Sequence, residues 1–355
     1  MNYNDFVLLY KNNLFREIDK NPEATKFYFL RSISKSKTLK KFCKNRNIND
    51  VFLDNKITEE NIAAFIRNEF IPKTNQEIKE IEAELNKMQN FDWGGSMGNS
   101  LEKNIVNNYI KKMCKYDDIQ EALSSSILNS VYGYTMNSWY NHWSSIMIEE
   151  IFNAHKDVLP TIDLVEKIDF FINGIPYDLK VTYFPEELMR EKIANDLFLS
   201  FGSKSELTCT KRMAKEIDIA IPNDLKDRAL LICLQTLLRE SVNPKAQQFI
   251  EEINKIKQKV IQYYKNNPNE LMIWLYENQG EMRFDAANRF FVVLMDTNNL
   301  FDSWKLKRNV DLLKNSINKK IDEIIKQEKN NLIDFYWKKD GKIYTCISEM
   351  VFVSK

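Results

Sequence analysis

The chain has 355 residues, 44% hydrophobic, 12% aromatic and 28% charged, which is the composition of a folded globular protein and excludes global disorder. Its 51 lysines and arginines stand against 50 aspartates and glutamates, so the formal charge of +1 excludes a general attraction to polyanions. Any nucleic-acid site must come from local clustering, and the length allows one elaborated domain or two.

The cysteines, Cys43, Cys114, Cys209, Cys233 and Cys346, are scattered and form no close pair, which argues against a disulfide framework and a zinc site. Reduced thiols in a cytoplasm are the expectation. The opening MNYNDFVLLYKNNLF carries polar and acidic residues where a signal peptide has a basic start and an apolar centre, and no apolar run approaches membrane-spanning length. An intracellular, soluble protein with no membrane partner is expected.

Roughly residues 1–95 read as a helical N-terminal region. Ile57 to Phe70 has acids in its first turn and apolar positions at helical spacing, and Gln76 to Gln89 reads as a charged surface helix. The run Ser34 to Arg46 is basic on several faces and could contact phosphates, although a charge run is more often only a solvated surface. FDWGGSMGNS, Phe91 to Ser100, holds three of the eight glycines and marks the expected boundary with a second region, residues 96–355.

In that region Leu101 to Lys115 and Asn137 to His155 are expected to be helical, with Trp139 and Trp143 in the core, and Ile168 to Phe184 to form a hairpin. Pro185 opens a helix whose first turn is acidic, and Ala229 to Arg239, Lys245 to Asn266 and Val310 to Lys326 are further helices. RFFVVLMD, Arg289 to Asp296, suits a buried strand, and the ending from Asp340 supplies one or two more. Few strands among many helices predict an α/β or α+β sandwich around a small mixed sheet.

The chemistry concentrates in IDFFINGIPYDLKVTYFP, Ile168 to Pro185. Asn173-Gly174 suits a two-residue type I′ turn, which needs positive φ at both positions. Counting back from it pairs Ile172 with Ile175, Phe171 with Pro176, Phe170 with Tyr177 and Asp169 with Asp178. The two carboxylates then face each other with β-carbons about 5 Å apart, an unfavourable pairing unless a cation lies between them or one is protonated. Mg2+ would relieve it, since that ion takes one or two carboxylates and keeps waters and phosphate oxygens. Alternation puts Lys180 on the face of Asp178, where its ammonium can hold an attacking water and offset developing charge.

On the preceding helix, Glu150 falls on a wheel among Trp139, Trp143, Ile146 and Ala154, while Glu149 falls nearer Asn141, His142, Ser145 and Asn153. Glu150 is therefore the acid expected to turn inward. His142 and His155 lie too far apart on one helix to share a metal. WKLKR, Trp304 to Arg308, interleaves an aromatic with Lys305, Lys307 and Arg308, which makes those three candidate DNA contacts.

At these residues the chain resembles the PD-(D/E)XK nucleases, and among them the type II restriction endonucleases. Asp169 matches the first aspartate, with Ile168 where the motif has proline; Asp178-Leu179-Lys180 matches (D/E)XK; Glu150 matches the acid often supplied by the first helix. The motif spans about a tenth of the chain and is short enough for chance matches. The resemblance implies a restriction-endonuclease-like α/β fold, with a helical insertion around residues 186–288. In it, Asp169, Asp178, Glu150 and the Leu179 carbonyl hold Mg2+, which Mn2+ can replace. It further implies hydrolysis of double-stranded DNA at a short recognition sequence to leave 5′-phosphates, a homodimer, and a cognate DNA methyltransferase that protects the host. Alternatives are a repair, recombination or transposition nuclease of the same fold, or a non-catalytic DNA-binding protein that retains it.

Overall fold

The computed structural model describes residues 1–33, 37–89, 101–223, 225, 227–278, 287–338 and 341–355. The expected boundary at Phe91 to Ser100 and the start of the basic run, Ser34 to Ser36, lie outside the described residues. Six strands, β1 (Val158–Val165), β2 (Ile168–Ile172), β3 (Ile175–Tyr183), β4 (Arg289–Met295), β5 (Leu332–Trp337) and β6 (Lys342–Ser354), form one sheet in the order β1-β2-β3-β4-β6-β5. The pairs β1–β2, β2–β3 and β5–β6 are antiparallel. Lys355 N donates to Met295 O at 3.2 Å while Thr297 N donates to Lys355 O at 3.0 Å, the alternation of parallel neighbours, so the sheet is mixed. The α/β class with few strands among many helices is as the sequence implies.

By compactness the chain divides into two units. The first unit comprises Met1–Lys180, Tyr276–Phe291 and Lys307–Val351. Its N-terminal helices start where side chains cap them: Asn2 and Asp5 form a reciprocal cap, as do Thr58 with Asn61 and Thr74 with Glu77. Their apolar faces meet in an aromatic cluster in which Phe6 stacks on Phe27 at 5.2 Å and Tyr3 tilts against Phe27 at 5.3 Å. Phe29 then packs edge-on to Phe171 of β2 at 4.9 Å, and the Tyr10 hydroxyl donates to Glu166 O. The N-terminal helices therefore share a core with the hairpin. Sequence spacing cannot show this, because the contacts span more than a hundred residues.

Further along the same unit, the helix Leu128–Asn153 lies on the sheet through Phe152, which stacks on Phe170 of β2 at 4.5 Å and meets Phe290 of β4 at 4.9 Å. Its buried face is built mainly from Gly133, Asn137, Tyr140, Ser144, Met147, Ile148 and Ile151. Trp139 and Trp143, expected in the core, are only half-buried.

The second unit comprises Val181–Leu275, Val292–Leu306 and Phe352–Lys355. Much of it is helical, as expected of the stretch after residue 186: Glu186–Phe201, Glu206–Glu216, Asp227–Glu240 and Pro244–Asn266. Gly202, at φ +69°, ends the first of these in the left-handed conformation that only glycine adopts cheaply. Ala214, Leu230 and Leu234 form a small core with Leu207, Ile219, Ile221 and Leu225 around it, and a buried ion pair joins Lys257 to Glu206 at 2.5 Å.

Candidate active site

The site is built on the reversal at Asn173-Gly174, whose φ values of +51° and +76° are those of a type I′ turn. The register follows from it: Ile172 pairs with Ile175, Phe171 with Pro176 and Phe170 with Tyr177. One step further the ladder changes. Leu179 N–H donates not to a β2 carbonyl but to the Asp169 carboxylate, Oδ2, at 2.6 Å, while Asp178 N–H donates across to Asn288 O at 2.9 Å beside β4. Asp169 thus takes over the acceptor role of its own strand, and Thr161 Oγ1 holds its carbonyl at 3.2 Å.

Asp178 is almost completely buried, and its two oxygens meet different cations. Lys180 Nζ lies 2.7 Å from Oδ1, and Arg289 Nε lies 3.7 Å from Oδ2. Lys180 stands on the face where strand alternation places it. The Asp169 carboxyl is pushed up to about 6, first by burial and further by the Asp178 charge, with the Leu179 N–H and Lys180 pulling the other way. Both aspartates belong to one electrostatic site.

The third acid is Glu149. Burial, with Asp169 and Glu150 adding repulsion, pushes its carboxyl up to about 7. Glu150, the acid expected to turn inward, instead accepts the Lys73 N–H through Oε2 at 3.1 Å. The difference traces to the tryptophans. With Ser144, Ile148 and Phe152 on the buried face, Glu149 flanks the Phe152 side of the helix, which packs on β2. Glu150 is displaced to the other flank.

The candidate DNA contacts separate as well. Lys307 is buried, donates to Asn141 Oδ1 at 2.8 Å, and has its ammonium pulled down to about 8 by loss of solvent. Arg308 donates to Leu85 O at 2.8 Å and Met88 O at 2.6 Å, closing the end of the helix Asn75–Asn86. Both have structural partners, and Lys305, partly exposed, pairs with Asp302 at 2.8 Å.

Sequence reasoning missed Arg289 and ranked Glu149 behind Glu150. The signal for Arg289 was present: it is a charged residue opening a strand whose every position is buried.

As a cation site, the group supplies hard oxygens from Asp169, Asp178 and the Leu179 carbonyl. Among the described residues, no three His, Cys, Asp or Glu side chains are already gathered as a ligand set. The fit rests on Asp169, a buried carboxyl beside a second carboxylate, which a divalent ion would let ionise. No helix among the described residues is long and apolar enough to cross a membrane. No family model, curated protein or solved structure matches the chain.

Proposed function

We propose that the chain is a divalent-cation-dependent endonuclease of the PD-(D/E)XK type that hydrolyses phosphodiester bonds of double-stranded DNA at a specific site and leaves 5′-phosphates. The observation that carries this reading is the meeting of Asp169, Asp178 and Lys180 on one hairpin in a partly dehydrated setting, with Glu149 of the preceding helix acting on Asp169. The small mixed sheet with a helix laid on it agrees with a restriction-endonuclease-like fold.

Asp169 and Asp178, with the Leu179 carbonyl, would hold Mg2+ or Mn2+, with Glu149 in the place first given to Glu150. The ion supplies Lewis acidity at the scissile phosphate and a more acidic water. Lys180 has a 42% exposed side chain, so it can leave Asp178 Oδ1 and turn to the water or to the phosphate oxygens. There its three donors orient the nucleophile and offset charge as the phosphorane forms. Glu149, whose charge is felt at Asp169, would complete the metal shell or orient the attacking water.

The reading carries with it a cytoplasmic restriction enzyme, a homodimer to cut both strands, and a cognate DNA methyltransferase. A second reading is favoured by one observation. Lys180 and Arg289 together neutralise Asp178, which is the arrangement a non-catalytic member of the fold would retain. Incubating the protein with unmethylated plasmid and phage DNA and Mg2+ or Mn2+ separates them. Discrete fragments, lost in Lys180→Ala, are expected of the endonuclease, and a smear would mark a nonspecific nuclease of repair or recombination. Uncut DNA with either ion would favour the non-catalytic reading.

A further inference from the structure

Arg289 has no role in the chemistry above, yet its placement is unusual. Its side chain is 10% exposed, and among the described residues its Nε finds no hydrogen-bond acceptor; the nearest carboxylate oxygen is Asp178 Oδ2, at 3.7 Å. A buried guanidinium donor left without a hydrogen bond is costly, and such a group persists where surrounding structure fixes it.

The fixing is visible on every side. The guanidinium lies over the Tyr276 ring, 4.6 Å from its centroid. That ring stacks on Phe335 at 4.5 Å, and its hydroxyl donates to Ala287 O at 2.9 Å and shares a 2.6 Å hydrogen bond with Ser348 Oγ. Asn288, between the anchored Ala287 and Arg289, accepts the Asp178 N–H through its carbonyl and the Ile347 N–H through Oδ1 at 2.9 Å. One short segment thus holds both the main chain of Asp178 and one oxygen of its carboxylate. Of the two cations on Asp178, Lys180 can swing into solvent and Arg289 cannot.

Resting on the nuclease reading only for what the site does once loaded, we propose that Arg289 is a positioning residue that fixes Asp178 through Oδ2 and keeps its charge balanced, so that a divalent cation loads fully only when a DNA phosphate adds negative charge. Two effects of removing it then have opposite signs. A cation near Oδ1 is repelled by a guanidinium on the far side of the same carboxylate, so loss of that charge strengthens cation binding. Loss of the fixed contact lets the carboxylate turn, and residues that orient a ligating carboxylate are worth about 10–100-fold in affinity or activity.

The test compares the full chain with Arg289→Gln and Arg289→Lys. Mn2+ binding without DNA is read from the paramagnetic resonance of the free ion, and DNA cleavage is read at saturating Mn2+. Arg289→Gln is expected to bind Mn2+ more tightly, because removing a positive charge beside a divalent cation outweighs the lost orientation, and to cleave at least about tenfold more slowly. Arg289→Lys keeps the charge but not the planar stack, so it should restore wild-type Mn2+ affinity with only part of the rate. Weaker or unchanged Mn2+ binding in folded Arg289→Gln would overturn the proposal, because a merely supporting arginine lowers affinity and rate together. If the glutamine variant fails to fold, Arg289→Lys decides alone: wild-type affinity with reduced rate supports the role, and altered affinity overturns it. A wild-type chain that binds Mn2+ but cuts no DNA refutes the nuclease and leaves the Mn2+ comparison to decide Arg289; one that binds no Mn2+ with or without DNA refutes both.

Discussion

Single side chains decide most of what distinguishes this site from an ordinary salt-bridged hairpin. Glu149 and Glu150 are adjacent, yet one faces Asp169 and the other accepts the Lys73 N–H. Glu149→Gln should therefore lower cleavage about 10–100-fold, as expected when a group that orients water or ion is lost. Glu150→Gln keeps an oxygen for Lys73 and should cost under about 1 kcal/mol of stability with little change in rate. Comparing kcat and urea midpoints for the two variants checks the assignment, and equal loss of activity in both would contradict it. The lysines of WKLKR make a similar contrast. Lys307→Ala removes a buried donor to Asn141, so it should destabilise the fold by about 1–3 kcal/mol without changing how DNA affinity depends on salt. Lys305→Ala should leave stability intact and flatten the plot of log affinity against log salt by about 0.9, the signature of one lost phosphate contact. Salt titrations of DNA binding alongside thermal melts read both.

At the level of elements, the hairpin was the most legible part of the chain, because its turn chemistry is local. Asn173-Gly174 predicts the register as far as Phe170 and Tyr177, beyond which the Asp169 carboxylate takes the Leu179 N–H and Lys180 pairs with Asp178. Gly174 is held at φ +76°, and an added Cβ would lie 3.0 Å from Thr25 Cγ2. Gly174→Ala should then cost about 1–2 kcal/mol from the left-handed backbone alone, and more if Thr25 cannot give way. Guanidinium unfolding measures it, and an unchanged midpoint would mean that the turn does not set the register. Other elements were harder to read. β1 was not assigned from sequence; it carries Pro160, paired with Phe170, and its register shifts between Pro160 and Val165. β5 alternates buried Ile333, Phe335 and Trp337 with exposed neighbours, a period that six residues show too briefly to stand out. The inward face of the helix Leu128–Asn153 was misjudged because hydrophobicity points to the tryptophans, whereas the buried face carries Tyr140, Met147, Ile148, Ile151 and Phe152 alongside glycine, serine and asparagine. What rests on contacts distant in sequence, such as Arg289 on Asp178 or Phe29 on Phe171, has no local signature.

For the molecule as a whole, the acids with raised pKa values tie stability to pH and to cations. Asp169, at about 6, and Glu149, at about 7, hold protons in the folded chain that they release near the ordinary carboxylate value when unfolded. Between that value and pH 7 the folded chain therefore binds more protons than the unfolded one, and linkage requires stability to fall as pH rises through this window. The contribution is fully present below about pH 4 and falls away as pH rises through about 6 for Asp169 and about 7 for Glu149. Other titrating groups act on the same curve, so the signal lies in the difference between the wild-type chain and the double variant Glu149→Gln, Asp169→Asn. Urea midpoints of the wild type should decline relative to the variant from pH 4 to pH 7. A cation changes the balance, because it favours the ionised carboxylates and must displace their protons to bind. Added Mg2+ should accordingly stabilise the wild type more at pH 7 than at pH 5 and the double variant at neither. Parallel curves for the two proteins, or a Mg2+ effect of the same size at both pH values, would show that these carboxyls do not share a cation-binding environment.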